Sequence, residues 1–218
     1  MFKKGIAEMN EYDGVLLASG GMDSTVLAYD LEKNKRQIIL LFLDYGQHCK
    51  DKEYETLKQV APESYKNNIK IIKIGDIYRE SQSRMIIEAN LWKDSVVAND
   101  LYLPYRNLLF LSIASAYAQS IGAKNVYSAF INSNHAKEID CSMEFFTKLE
   151  TLLEEYGSVK ICMPFRQMTK TEVAKLGISL KAPIAMTYSC QINSKVPCGA
   201  CPNCVDRITA MNNLIKDV

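Results

Sequence analysis

No charge of one sign predominates in this chain of 218 residues: 26 lysines and arginines stand against 25 aspartates and glutamates, a formal net charge of +1. A basic excess of the kind that advertises a nucleic-acid or acidic-lipid surface is missing, so direct nucleic-acid binding is not expected. Long apolar runs are missing too. The longest obvious one, Ile38 to Leu43, is far short of the ~20 residues that a spanning helix needs, and no membrane partner is expected. No apolar stretch follows Lys3 and Lys4, where a secretory signal would carry one, which points to the cytoplasm. Internal repeats and low-complexity segments are absent. What is present, 48% hydrophobic and 23% charged residues, suits an ordinary globular protein with one substantial core.

Short apolar runs alternate with helical patterns. Gly14–Ala18, Gln37–Leu43, Ile69–Ile74, Asn125–Phe130 and Val159–Phe165 read as strands, the first running into a glycine turn. Asp23–Lys33, Lys50–Ala61, Arg106–Ile121, Ser142–Tyr156, Thr169–Leu176 and Val205–Ile215 read as helices. The third of these is apolar nearly all round, which predicts burial on most sides. Asp76–Tyr102 is mixed and polar, a stretch for short helices or a mobile loop over a site. Strands alternating with helices predict an α/β fold, a doubly wound parallel five-stranded sheet covered on both faces. Residues 1–186 are expected to form a nucleotide-binding domain, with residues 187–218 a small C-terminal cysteine segment and helix packed on it. Ligands in such sheets bind beyond the C-terminal ends of the strands.

After the first strand stands Ser19-Gly20-Gly21-Met22-Asp23-Ser24. Two glycines let backbone N–H groups turn toward an anion, and the following helix N-terminus adds positive partial charge. Ser19 and Ser24 offer hydroxyls to phosphate oxygens. Asp23 would either cap the helix or help hold Mg²⁺. No Gly-Lys-Ser/Thr follows, so this is not a Walker A loop, and the G-x-G-x-x-G spacing of a dinucleotide fold is also missing. The six residues do match the SGGxDS loop of N-type ATP pyrophosphatases, which split ATP into AMP and pyrophosphate. The plain alternative is a glycine turn with a capping aspartate.

Seven cysteines are present, and four fall within fifteen residues as Cys190-x7-Cys198-x2-Cys201-x2-Cys204. Four thiolates at such spacings suit tetrahedral Zn²⁺, in a closed and therefore structural site. An iron–sulfur cluster or a Cys198/Cys201 redox pair would use the same thiols. Cys49, Cys141 and Cys162 are scattered and read as ordinary thiols. The histidines, His48 and His135, both fall in loops that follow strands, where a lone histidine is more often a surface residue than a catalyst.

With these motifs in hand the chain resembles the 7-cyano-7-deazaguanine synthase family from about Val15 to Arg207. Ser19–Ser24, Asp44-Tyr45-Gly46-Gln47, Leu103-Pro104-Tyr105-Arg106-Asn107, Asp140-Cys141 and Thr187-Tyr188-Ser189-Cys190 with the other three cysteines and Arg207 carry the resemblance. It implies ATP-dependent conversion of 7-carboxy-7-deazaguanine to its amide and then its nitrile with ammonia, in an enzyme with Mg²⁺ and Zn²⁺ that is often a dimer. Ser19–Ser24 and Asp44–Gln47 are then the nucleotide-binding candidates. Lys170, Asp23 and Arg106 are the catalytic candidates, Lys170 lying where the family carries a lysine before a helix. Arg106, Asn107, Asn134, Asp140 and Cys141 are the substrate-binding candidates. The chain departs from the family in two places. The family's Gly-Gln-Arg-His is Gly46-Gln47-His48-Cys49 here, and after the fourth strand Asn134 and Ser142 stand where an acid and an arginine are usual. The loss of a charged guanine acceptor and of a bidentate clamp leaves other outcomes open. One is a paralogue of an antiviral operon that passes a deazapurine acid to a protein amine or stops at the amide. Another is a non-enzymatic nucleotide-binding zinc scaffold.

Overall fold

The computed structural model describes residues 12–90, 93–94, 96–131, 142–192 and 196–216. Strands β1 (Gly14–Leu17), β2 (Ile38–Asp44), β3 (Ile69–Lys73), β4 (Asn125–Tyr127) and β5 (Lys160–Cys162) form one sheet of order β3-β2-β1-β4-β5. All four pairings are parallel, with Gly14 opposite both Ile38 and Asn125. Helices α1 (Met22–Lys33), α2 (Lys50–Val60), α3 (Arg106–Ser120), α4 (Met143–Tyr156), α5 (Lys170–Ser179) and α6 (Pro202–Lys216) connect and cover the strands.

The expected sheet is therefore present, and its sequence logic is visible in β2. All seven residues of Ile38–Asp44 are buried, because both faces are covered and no position can be polar toward solvent. Alternate side chains go to opposite cores. Leu16, Ile38, Leu40 and Phe42 pack with α1 and α5 through Val26, Leu27, Val173 and Ala174. Val15, Ile39, Leu41 and Leu43 pack with α3 and α4 through Leu111, Ala114, Ala118, Phe146 and Leu149.

Several bounds differ from the sequence reading. β5 ends at Cys162 and not Phe165, because Pro164 lacks an N–H for the ladder and the chain turns, with Arg166 N donating to Met163 O at 3.2 Å. β4 ends at Tyr127, and after Ser128 N donates to Cys162 O at 3.0 Å the next residues leave the sheet. Helix α3 is less enclosed than its composition suggests. Asn107, Leu111, Ala114, Ser115 and Ala118 are buried, whereas Leu108, Leu109, Ile113 and Tyr117 are half-buried. The Asp76–Tyr102 stretch carries 3₁₀ turns at Gly75–Tyr78 and Ala98–Leu101, and Tyr78, Met85 and Leu103 bury against Tyr45 as a small third core.

The order β3-β2-β1-β4-β5 places the switch of winding direction between β1 and β4. A parallel sheet opens a crevice at that point, beyond its carboxyl ends. No helix among the described residues is long and apolar enough to cross a membrane.

Candidate active site

The crevice is a cavity of about 330 Å³, lined by the ends of β1 and β2, by Ser128–Phe130 after β4, and by side chains from the surrounding helices. Ser19, Gly21, Met22, Asp23 and Ser24 form one wall. Gly20 has φ +75, and a Cβ there would come within 2.7 Å of Glu53 O and 2.8 Å of Leu57 N. The turn needs glycine both for its left-handed backbone and because α2 lies against it. Gly20→Ala is expected to cost about 2–4 kcal/mol of stability and to disrupt ATP binding. Denaturant titration and calorimetric ATP binding check this.

The side chains of the loop knit it together. Ser19 Oγ accepts from Gly21 N at 3.4 Å, and Ser24 Oγ accepts from Ser19 N at 3.4 Å and donates to Gly21 O at 3.3 Å. Of the two roles open to Asp23, helix capping is excluded: the N-cap of α1 is Gly21, with no side-chain cap. Asp23 Oδ2 instead accepts from Lys170 Nζ at 2.6 Å, across 147 residues of sequence. Asp23 Oδ1 is buried with no hydrogen-bond partner among the described residues.

Lys170 reaches Asp23 because a capping box fixes the start of α5. Thr169 Oγ1 accepts from Glu172 N at 3.3 Å, and Glu172 Oε2 accepts from Thr169 N at 2.7 Å. Lys170 is thus the first residue of its helix, as Arg106 is of α3. A cation is unfavourable at the positive end of a helix, and both line the cavity. Helices α1, α3 and α5 all open onto this space at their N-termini. Three helix N-termini and two cations thus face the anion-binding side of the crevice.

The remaining candidates divide. Tyr45, Gln47, Arg106, Asn107 and Lys170 line the cavity, while Asp44 and Gly46 do not. Asp44 holds the turn instead, accepting from Gly46 N at 3.1 Å and pairing with Lys50 at 3.3 Å. Gln47 Oε1 accepts from Tyr45 N at 2.9 Å, and Nε2 donates to Leu43 O and to Glu53 Oε2, each at 3.1 Å. Asn134, Asp140 and Cys141, with His135, lie outside the described residues. Ser142, at the departure from the family pattern, serves its own helix: it caps α4, accepting from Phe145 N at 3.1 Å. His48 makes a 3.1 Å contact with Arg84 O and a 3.3 Å contact with the Cys49 thiol. It is not among the lining residues.

Glu53, Tyr188, Ser189, Gln191, Asn203 and Asp206 also line the cavity, and none of them is among the candidates that the sequence supplies. Glu53 carries a signal that could have found it: it is half-buried and stands one and two turns before the buried Leu57 and Val60 of α2, an odd place for a carboxylate. Burial, offset in part by Gln47 and Arg106, pushes its carboxyl up to about 7. The residue is half-buried and lines the cavity.

A raised acid in the fold favours the protonated native state. Stability from this group is therefore full below the ordinary glutamate range and is lost as pH rises through about 7. Between about pH 5 and about pH 8 the protein is expected to lose about 2–3 kcal/mol that Glu53→Gln does not lose. Urea titrations of both proteins across that range check it.

The four clustered cysteines meet at the foot of the same wall. Their Sγ atoms lie within 4.8 Å of one another, against roughly 3.8 Å along the edge of an ideal thiolate tetrahedron around Zn²⁺. Cys198 N and Ile192 N donate to Cys190 Sγ, Cys201 N to Cys198 Sγ and Gln191 N to Cys201 Sγ, at 3.3–3.5 Å. By themselves such thiols hold their protons. Contact with Cys201 and burial push Cys190 up to about 12, and burial pushes Cys204 up to about 11. A dication among them reverses that preference, so the donor set fits a metal. The cluster is tied to the loop by Tyr188 N, which donates to Gly20 O at 3.0 Å. Arg207 secures α6 beneath it, donating to Thr187 O at 3.0 Å and to Ile184 O at 2.6 Å.

Solved structures share this architecture. A 4-thiouridine synthetase in complex with RNA and bound ATP superposes with a TM-score of 0.52 at 18% identity, covering 94% of this chain and 50% of that one. A predicted subunit of a tRNA methyltransferase from Methanocaldococcus jannaschii gives a TM-score of 0.51, also at 18% identity, covering 77% of this chain and 74% of that one. Fold and site together define an α/β protein with a glycine-turn crevice at the switch point of a parallel sheet and a cysteine cluster able to bind a metal.

Within that class a narrower match exists. The family model described as queuosine biosynthesis protein QueC matches residues 13–215. The chain is 37% identical over 206 residues to the 7-cyano-7-deazaguanine synthase of Picrophilus torridus, covering 89% of this chain and 84% of that protein. It is 32% identical over 215 residues to the synthase of the same name from Archaeoglobus fulgidus, covering 93% and 87%. The chain belongs to the QueC family.

Proposed function

We propose that this chain is an ATP-dependent, AMP-forming ligase that converts 7-carboxy-7-deazaguanine and ammonia into 7-cyano-7-deazaguanine. The observation that carries this reading is the convergence, in one crevice, of the Ser19–Ser24 loop, Lys170 and Arg106. The family and the names of its relatives supply the product. A carboxylate is a poor electrophile and needs a leaving group. Its oxygen attacks the α-phosphorus of ATP, the bond to the β-phosphate breaks, and pyrophosphate departs with the electron pair. Free N–H groups of the loop and the Lys170 ammonium neutralise that charge by electrostatic stabilisation in a water-poor site. Arg106 and Asn107, at the start of α3, hold the acid. Ammonia then displaces AMP to give the amide, and a second round of the same activation removes the remaining oxygen to give the nitrile.

Asp23 is the residue that would hold Mg²⁺, since Oδ1 is a buried acceptor with no hydrogen-bond partner among the described residues. When bound, the ion would supply charge neutralisation on the phosphates. Cys190, Cys198, Cys201 and Cys204 would hold Zn²⁺ in a closed structural site. On this reading residues 187–218 are a zinc-stabilised segment of the domain built by residues 1–186. A homodimer belongs to the same proposal and is read by sedimentation. Transfer to a protein amine, arrest at the amide and the non-enzymatic scaffold have no observation in their favour, and Ser142 has a local reason to differ.

The direct test is isotope exchange between pyrophosphate and ATP with the purified protein. Exchange is expected only when 7-carboxy-7-deazaguanine is present. Exchange without the acid, or none with it, overturns the proposal.

A further inference from the structure

Amide formation needs a nucleophile with a free lone pair, but at neutral pH the nitrogen source is almost wholly ammonium. A site that uses it must take up a proton beside the acyl carbon. Asp23 is already paired with Lys170, and Asp206 lies on α6 within two residues of Cys204. Glu53 is placed differently. Its backbone oxygen lies against Gly20 of the phosphate loop, its Oε2 accepts from Gln47 Nε2 at 3.1 Å, and Arg106 faces it from α3. It stands between the nucleotide wall and the residues assigned to the acid, and it lines the cavity.

We infer that Glu53 is the proton acceptor that converts ammonium to the attacking ammonia, a role that rests on the adenylation reading above. Ammonium gives one proton to the Glu53 carboxylate. The nitrogen lone pair forms a C–N bond at the carbonyl carbon of the acyl adenylate. The C–O bond to AMP breaks, its electron pair stays on the phosphate oxygen, and the surplus proton on nitrogen passes to that phosphate. Glu53 later returns its proton to water.

The local electrostatics suit this role. Tyr45 and Cys49, from the segment before α2, are both raised by burial and hold their protons through neutrality, and Arg106 contributes a guanidinium. Glu53, pushed up to about 7, is the member of this set that changes charge where the reaction runs. Gln47 fixes the carboxyl, since its own oxygen is committed to Tyr45 N.

The experiment compares wild type with Glu53→Gln in acid-dependent pyrophosphate exchange and in product formation from ammonium or hydroxylamine. Hydroxylamine is largely unprotonated at neutral pH and needs no base to expose its lone pair. Glu53→Gln is expected to retain exchange, to fall about 100-fold or more with ammonium, and to approach wild type with hydroxylamine or at alkaline pH. The wild-type ammonium rate should rise up to about pH 7 and level off above it, and the variant should instead keep rising with the free ammonia. Equal loss with both nucleophiles, loss of exchange, or an unchanged ammonium rate each overturns the inference. Absence of exchange in the wild type overturns the adenylation reading and takes this inference with it.

Discussion

Lys170→Met slows adenylate formation by about 100- to 1,000-fold, measured as acid-dependent pyrophosphate exchange. The lysine is the first residue of α5, held there by the Thr169–Glu172 box, and its ammonium reaches Asp23 at 2.6 Å on the edge of the phosphate loop. In the ground state it is neutralised by Asp23. When pyrophosphate departs, new negative charge develops next to it, and the interaction grows. A residue that binds the transition state better than the substrate lowers kcat when removed, and KM for ATP should move less. Lys170→Arg is not expected to restore the rate, because a planar fork on a longer stem cannot reproduce a compact charge at that distance. Loss of the lysine also leaves Asp23 in a half-enclosed site without its partner. The double variant Lys170→Met with Asp23→Asn should therefore melt at a higher temperature than Lys170→Met alone while remaining slow. A Lys170→Met rate within about threefold of wild type would remove the lysine from the reaction.

Cys201→Ser has the second large effect, and it acts at a distance. Cys201 is buried at 1% exposure, and its thiolate would be one of four around the metal. Serine is a poor ligand for Zn²⁺, so bound zinc falls from about one per chain to a small fraction, and the segment around it loses its tie. Tyr188 N then no longer holds Gly20 O, and the wall formed by Tyr188, Ser189 and Gln191 opens. ATP affinity is expected to fall at least about tenfold, and stability by about 3 kcal/mol or more. Metal analysis, calorimetric ATP binding and thermal melts measure these together. Full zinc content would show that the Cys201 thiolate is not needed to hold the metal. Loss of zinc with unchanged affinity would show that the wall stands without it.

The elements legible in the sequence are those with local signatures. β2 announces itself because a strand buried on both faces is a continuous apolar run, and α1 follows a glycine turn that its own residues require. The cysteine cluster is legible because four ligands in fifteen residues need no knowledge of the fold. Strand ends are harder. β4 stops where Ser128–Phe130 leave the sheet to line the cavity, which depends on neighbours, and β5 stops before Pro164, whose missing N–H ends the ladder.

The site itself is legible only in part. Glu53 reads in sequence as one charge among Lys50, Asp51, Lys52, Glu55 and Lys58 on a solvated helix. Its spacing from Leu57 and Val60 is the one sequence hint, and its contacts with Gln47 and Gly20 set it apart. Tyr188, Gln191 and Asp206 come from a segment far along the chain, brought to the loop by the packing of α6 on α5. Asp23 stands out in the sequence as a special acid, but its partner, 147 residues away, makes it an ion-paired residue and not a cap. Asp44 illustrates the opposite case: a motif position whose carboxylate serves the turn and not the cavity.

The measurement that bears most directly on the proposed reaction is the product balance of the purified protein with Mg²⁺-ATP, 7-carboxy-7-deazaguanine and ammonium, following AMP, pyrophosphate and product mass together. The account predicts 7-cyano-7-deazaguanine, with one AMP and one pyrophosphate released for each carbon–oxygen bond broken at the carboxyl carbon. AMP accumulating with no nitrile, or no AMP above the level without the acid, would contradict it.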